Sequence, residues 1–173
     1  MSGDLEFSGL VDRHYGSLYR FALSLTRSEA DACDLVQETF YIWARKGSQL
    51  RHGSKVKSWL FSTLHREFLK SRRHETSFPK VELDVVEGEL PVVREATWSR
   101  LDGRQLVQLL HQIDEAFRAP LALFYLENLS YQEISETLGL PLGTIKSRLS
   151  RGVARLRQLL ASDLEPGKGG TDD

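Results

Sequence analysis

LSYQEISETLGLPLGTIKSRLSRGVARLRQLL, residues 129–160, carries two helix signatures around one glycine. Ser130 followed three residues later by Glu133 is the pattern of a capping box, in which the hydroxyl accepts from a first-turn amide and the carboxylate accepts from the serine's own amide. That pair starts a helix. It runs through Ile134 to Leu138 and meets Gly139, Leu140 and Pro141. Glycine tolerates a left-handed cap, and proline ends the old helix yet suits the first turn of a new one. Two helices joined by so short a turn must cross steeply.

At roughly 100° per residue, Leu142, Ile145, Leu149, Val153, Leu156 and Leu160 fall on one stripe of the second helix, which marks the buried side. Thr144, Arg148, Arg151 and Arg155 fall on the opposite side, with Ser147 flanking them. A solvated amphipathic face is the bland alternative, because charged surface helices are common. Against it, no acidic residue lies between Leu138 and Leu160, so the stripe has no carboxylate at the i+4 spacing to neutralise it. A capped first helix, a tight turn and an arginine-bearing second helix together predict a helix-turn-helix that enters the major groove.

The remaining composition bounds this reading. The 173 residues suffice for one medium domain or two small ones, and the 40% hydrophobic content supports real cores. Lys and Arg number 23 against 24 Asp and Glu, a formal net charge of -1. A protein that holds duplex DNA unaided usually shows a strongly basic footprint, so a second component is expected to help. With Cys33 as the single cysteine, an internal disulfide and a thiolate-built four-ligand metal site are both excluded. No stretch approaches the roughly 18 consecutive apolar residues of a membrane span, and the amino terminus lacks a basic start with an apolar run. A cytoplasmic protein without membrane insertion is the expectation, and neither a metal, a cofactor nor a catalytic residue is predicted. Five histidines, at 14, 52, 65, 74 and 111, lie on separate segments without ligand spacing.

The pattern predicts an all-α fold of two small helical domains joined by a flexible linker. From Asp4 to Thr26, Phe7, Leu10, Val11, Leu18, Phe21, Ala22 and Leu25 recur at helical spacing, as one long helix or two abutting ones. A second helix starts near Ser28, with Glu29 and Asp31 where negative charge suits the helix dipole, and runs to about Lys46. A polar loop over 47–54 precedes a third, from Lys55 to about Arg73. Periodicity fails from Ser77, where prolines and the carboxylates of Glu82, Asp84, Glu87 and Glu89 mark the linker. It resumes near Ala96 through Trp98, Leu101, Leu106, Leu109, Leu110 and Ile113, and again from Pro120. The expected divisions are 1–76, linker 77–95, 96–164, and a disordered tail 165–173. An extended linker of about 18 residues reaches roughly 60 Å, enough for the domains to touch separate DNA segments.

Two helices of the first domain carry candidate chemistry. On DACDLVQETFYIWARK, residues 31–46, Leu35, Val36, Thr39 and Trp43 share an inner side, while Asp34, Gln37, Glu38, Tyr41 and Arg45 share an outer one. That outer stripe is either a wet surface or a docking face for a basic partner. VKSWLFSTLHREFLKSRRH, residues 56–74, interleaves aromatics with cations, the chemistry of single-stranded nucleic acid, where bases stack on rings and cations follow phosphates. Leu60, Phe61, Leu64 and Phe68 share the spacing of a packed face, which leaves Trp59 as the aromatic that could be exposed.

Taken in order, these three segments resemble the extracytoplasmic-function (ECF) sigma factors, small subunits of bacterial RNA polymerase. Residues 31–46 look like their region 2.2, 56–74 like regions 2.3 and 2.4, and 129–160 like region 4.2; the likeness covers about Phe7 to Leu160. The resemblance implies an alternative sigma factor that binds core RNA polymerase, directs it to specific promoters and promotes -10 melting. It implies core-polymerase contacts at Asp34, Gln37, Glu38 and Tyr41. It also implies -10 element contacts at Lys57, Trp59, Ser62, His65, Arg66 and Lys70, beside the loop from Arg51, and -35 element contacts at Gly143, Thr144, Lys146, Ser147, Arg148, Arg151 and Arg155. An anti-sigma factor is a further partner that the family admits. The sequence departs from the family at Arg66, where asparagine is common, at Lys70, where aspartate is common, and at Cys33, where an acidic residue is common. Gly152 replaces the usual alanine inside the reading helix, at a propensity cost of about 0.8 to 1 kcal/mol, which points to a close neighbour. A free-standing helix-turn-helix regulator is the rival, and would shift DNA without any polymerase.

Overall fold

The computed structural model describes residues 2–46, 55–75 and 102–164. Among them are seven α-helices and no strand: α1 (Ser2–Thr26), α2 (Glu29–Lys46), α3 (Val56–Glu75), α4 (Gly103–Leu110), α5 (Glu115–Glu127), α6 (Tyr131–Leu138) and α7 (Leu142–Leu164). The expected loop 47–54, the linker 77–95, the periodic positions Ala96, Trp98 and Leu101, and the tail 165–173 lie outside the described residues.

The first bundle is α1, α2 and α3. Its core is the apolar set anticipated from spacing: Leu18, Phe21, Ala22 and Leu25 of α1, Leu35 and Val36 of α2, and Leu60, Phe61, Leu64 and Phe68 of α3 are all buried. The rings of Phe21 and Phe61 meet at 5.3 Å across it. α1 is one continuous helix. It ends at Arg27, whose φ of 61° places a non-glycine residue in the left-handed region. Ser28 then opens α2, its hydroxyl accepting from the amide of Asp31.

The second bundle is α4 to α7. α4 starts one residue after Asp102, which forms a capping box with Gln105, and is shorter than the periodicity suggested. It stops at Leu110 because the chain turns sharply there. The buried Arg118 holds that turn, donating from Nε to the carbonyls of Leu110 at 3.0 Å and Ile113 at 3.1 Å. α5 therefore begins at Glu115, five residues before the proline expected to open it, and Pro120 sits inside the helix. A proline there removes one i to i−4 hydrogen bond, a local loss set among fully buried neighbours, Leu121, Ala122 and Leu123. Asn128 closes α5 in the left-handed conformation.

The two bundles are docked on each other, which the sequence did not predict. α1 packs against α5 and α4, and α3 packs against α6. Their buried apolar residues form one continuous cluster. Lys57 pairs with Glu127 at 3.0 Å, and Arg72 grips Glu115 with two nitrogens, the Nε bond being 2.9 Å. His111 lies 2.7 Å from the carbonyl of Leu23 through Nε2, and Arg27 donates to the carbonyl of His111.

Candidate nucleic-acid interface

The helix-turn-helix forms as its sequence dictates. Ser130 and Glu133 make the full capping box, at 3.1 Å from the Glu133 amide to the hydroxyl and 2.8 Å from the Ser130 amide to the carboxylate. Gly139, at φ 65°, caps α6 in the left-handed region. The amide of Leu140 reaches back to the carbonyl of Ser135 at 3.2 Å, and the Ser135 hydroxyl donates to the carbonyl of Leu140 at 2.6 Å. That double tie fixes the angle at which α7 leaves the turn. Ile145, Leu149, Val153 and Leu156 of α7 are buried as anticipated, with Leu142 and Leu160 half-buried.

The outward residues of α7 divide into two groups. Gly143, Lys146 and Arg155 are exposed, and Thr144 and Arg151 are half-buried. Arg155 donates to the side chain of Gln158 at 2.9 Å, one turn on along the same face. Ser147 and Arg148 depart from expectation. Ser147 is buried, and its hydroxyl and the Nε of Arg148 have no hydrogen-bond partner among the described residues. Burial lowers the pKa of the Arg148 guanidinium. The stripe is therefore open at Lys146 and Arg155 and covered at its inner edge.

α3 divides its six candidates in the same way. Trp59, Arg66 and Lys70 line a groove between α2 and α3, where Arg45 and Lys46 of α2 join them. Trp59 is half-buried and meets Trp43 edge to face, with ring centroids 5.2 Å apart. Arg66 donates to the buried hydroxyl of Thr63 at 3.3 Å, and Lys70 pairs with Glu67 at 3.2 Å. The sequence reading missed Thr63 and Lys46, and put Arg45 on the outer stripe of α2 rather than in this groove. Trp59, Thr63, Arg66 and Lys70 follow one another by three and four, the signal that would have united the α3 members.

Lys57 and His65 instead face the second bundle, Lys57 in its pair with Glu127. His65 is buried, against the expectation that it meets DNA in this arrangement. Its burial, with the charge of Arg148 acting second, pushes the imidazole down to about 4. A neutral, enclosed imidazole offers no charge to a phosphate. Ser62 is half-buried and is not among the groove residues.

On α2, Asp34, Gln37, Glu38 and Tyr41 are all exposed and share one face. Tyr41, 56% exposed, is the most open large apolar side chain among the described residues, and the Arg45 guanidinium lies 5.5 Å from its ring centre. Two carboxylates, an amide and an aromatic ring on one open stripe suit a basic, partly apolar partner. Cys33, beside them in sequence, is half-buried and in no disulfide. No helix among the described residues is long and apolar enough to cross a membrane.

Comparison with known proteins matches each bundle separately. The Sigma-70 region 2 family matches residues 10–78, and the Sigma-70 region 4 family matches residues 103–156. The ECF RNA polymerase sigma factor SigE of Mycolicibacterium smegmatis is 34% identical over 157 residues, which is 88% of this chain and 60% of that protein. SigL of Mycobacterium tuberculosis is 30% identical over 154 residues, covering 87% of this chain and 86% of SigL. SigM of Bacillus subtilis is 28% identical over 154 residues, covering 87% and 92%. Among solved structures, the sigma factor RpoE of Bartonella quintana, in complex with the anti-sigma factor NepR, aligns with a TM-score of 0.68 at 27% identity, over 91% of this chain and 98% of that one. CnrH, in complex with the cytosolic domain of CnrY, aligns with a TM-score of 0.64 at 24% identity, over 91% and 88%, a likeness of fold.

Proposed function

The chain belongs to the ECF family of RNA polymerase sigma factors, alternative sigma subunits that direct the polymerase to promoters, and from that premise we propose how its residues divide the work. The first bundle, with its boundary near residue 76, docks on core polymerase through Asp34, Gln37, Glu38 and Tyr41 of α2. Their exposure on one stripe supports this. The groove of Trp59, Arg66 and Lys70 takes the melted -10 strand, bases stacking on the ring for about 1 to 3 kcal/mol each while the cations follow the backbone. Lys57, Ser62 and His65 join that surface once the bundles separate.

The second bundle, residues 96–164, reads the -35 duplex with α7. The observation that carries this is the fully capped turn that presents Gly143, Lys146 and Arg155 outward on a helix with its apolar side sealed. Thr144, Ser147, Arg148 and Arg151 complete the reading set, with about 1 to 3 kcal/mol of discrimination for each good bidentate base contact. Residues 77–95 tether the two. A net charge of -1 fits a subunit whose enzyme supplies most of the phosphate contact. The chain performs no catalysis itself, needs no metal or cofactor, and works in the cytoplasm beside the polymerase. An anti-sigma factor, as in the complex of RpoE with NepR, is a further partner.

Run-off transcription on genomic promoter fragments tests the proposal. Core polymerase plus this chain is expected to give discrete transcripts that core alone does not, and identical products with and without the chain would contradict it.

A further inference from the structure

We propose that Arg66 is the base-reading residue of the groove between α2 and α3, that the buried hydroxyl of Thr63 positions it, and that the base it selects is a guanine of the -10 strand. The inference rests on that groove taking the melted strand, and it adds the identity of one base and the residues behind the choice.

The cations of the groove are not equivalent. Lys70 is paired with Glu67 at 3.2 Å through a side chain that is 68% exposed, and the exposed Arg45 lies 5.5 Å from the ring centre of Tyr41. Charges on such open stems follow a phosphate backbone wherever it runs, and phosphate contacts carry no sequence information. Arg66 is held differently. Its Nη2 donates to Thr63 Oγ1 at 3.3 Å, and Thr63 is only 2% exposed, so the acceptor is fixed by the packing around it. That tie sets the plane of the guanidinium. Arg66 is itself exposed and lines the groove, which leaves its other N–H groups open to a ligand.

A guanidinium is a donor only, and its donors form a planar fork. It fits an edge with two neighbouring acceptors, as guanine presents with O6 and N7, whereas at adenine it meets the N6 amino group donor to donor. Cytosine presents a comparable pair, O2 and N3, only on the edge that base pairing uses. Guanine offers O6 and N7 whether paired or unpaired, so one contact lasts from duplex to melted strand. Trp59 lies about two turns before Arg66 on the same face, about 10 Å along the helix axis, and Trp43 braces its ring at 5.2 Å. A base stacked on Trp59 therefore leaves Arg66 to a neighbouring nucleotide.

Strand selection reads the choice directly. Core polymerase plus the full chain captures single-stranded DNA from a pool randomised over a short window, and sequencing of the bound strands gives a base preference at each position. The wild type should prefer guanine over adenine by roughly tenfold or more at one position, the scale of one bidentate base contact. Arg66→Gln, whose amide pairs a donor with an acceptor, should turn that position toward adenine and leave the other positions unchanged. Thr63→Val, similar in shape without the hydroxyl, should cut the guanine preference severalfold, and Thr63→Ser should keep it. A uniform loss of capture by Arg66→Gln with the base profile intact would make Arg66 a phosphate contact and overturn the proposal. A wild-type preference for cytosine at the Arg66-dependent position, or no guanine-preferring position, would overturn it too. If Thr63→Val loses its helical circular dichroism, Thr63→Ser and the exposed Arg66→Gln decide. A selective profile that none of these variants moves would sink the role of Arg66 yet leave the groove as the -10 site, and capture no more selective than by core enzyme alone would sink both.

Discussion

Gly152 sits in α7 where the helix crosses α5, and replacing it by alanine sets two effects of known sign against each other. Alanine is the better helix former by about 0.8 to 1 kcal/mol. A methyl group at that position would lie 2.6 Å from Cδ1 and 3.1 Å from Cγ of Leu121, and 3.2 Å from Cβ of Phe117. Leu121 is fully buried, so its branch cannot swing away freely. Overpacking of this kind costs about 1 to 3 kcal/mol. The net expectation for Gly152→Ala is destabilisation by about 1 kcal/mol, or roughly 0.5 M in the urea midpoint at an m value near 2 kcal/mol/M. Gly16, in α1, has open space around its missing Cβ, so Gly16→Ala should stabilise by up to about 1 kcal/mol. Urea unfolding followed by circular dichroism gives both numbers. Leu121→Ala should cost about 2 to 5 kcal/mol alone, and measurably less in the Gly152→Ala background, because the new methyl fills part of the vacated space. That coupling is the direct sign of contact. A rise in midpoint for Gly152→Ala, with strictly additive double-variant energies, would refute the steric account.

Arg151→Glu should abolish promoter-specific transcripts while leaving core-enzyme binding intact; unchanged transcript levels would count against the role of α7. Ser130→Ala removes one half of the capping box and should cost about 1 kcal/mol, seen as a lower thermal midpoint. His65 is held near 4 in the folded chain against 6.5 when free. The unfolded state therefore binds the extra proton between those values, and the stability contributed by neutral His65 is present above pH 6.5 and lost progressively as pH falls toward 4. The full loss is about 3 kcal/mol. The difference in stability between the wild type and His65→Gln, followed from pH 7.5 to about 4.5, should shrink or reverse in acid, and a pH-independent difference would contradict the burial of this imidazole.

Much of the fold was legible because local rules act within a few residues. Ser130 with Glu133 and Gly139 with Pro141 fixed α6 and α7, and the apolar stripes of α1, α3 and α7 named most of the core. The Gly152 substitution signalled a close helix crossing before the neighbour was known. The boundary between α4 and α5 was not legible, because Arg118 stabilises it through carbonyls of the preceding turn, a contact no periodicity encodes. Pro120 also misled, since a proline suggests a helix start, whereas burial within α5 accommodates it inside. The docking of the two bundles was the larger omission. It depends on pairs such as Arg72 with Glu115, 43 residues apart, whose charges look like ordinary surface in either helix alone. For the same reason His65 was expected outside, although it is buried close enough to Arg148 of the other bundle to feel its charge.

The central claim is that sequence selectivity arises when this weakly charged chain rides on a larger enzyme. A mobility-shift comparison on a genomic promoter library, with the chain alone, core polymerase alone and both together, tests it most directly. The account predicts a sequence-selective complex only in the third sample. Selective shifts by the chain alone at physiological salt would contradict it and favour a free-standing helix-turn-helix regulator, and absence of any change when the chain is added to core enzyme would contradict it outright.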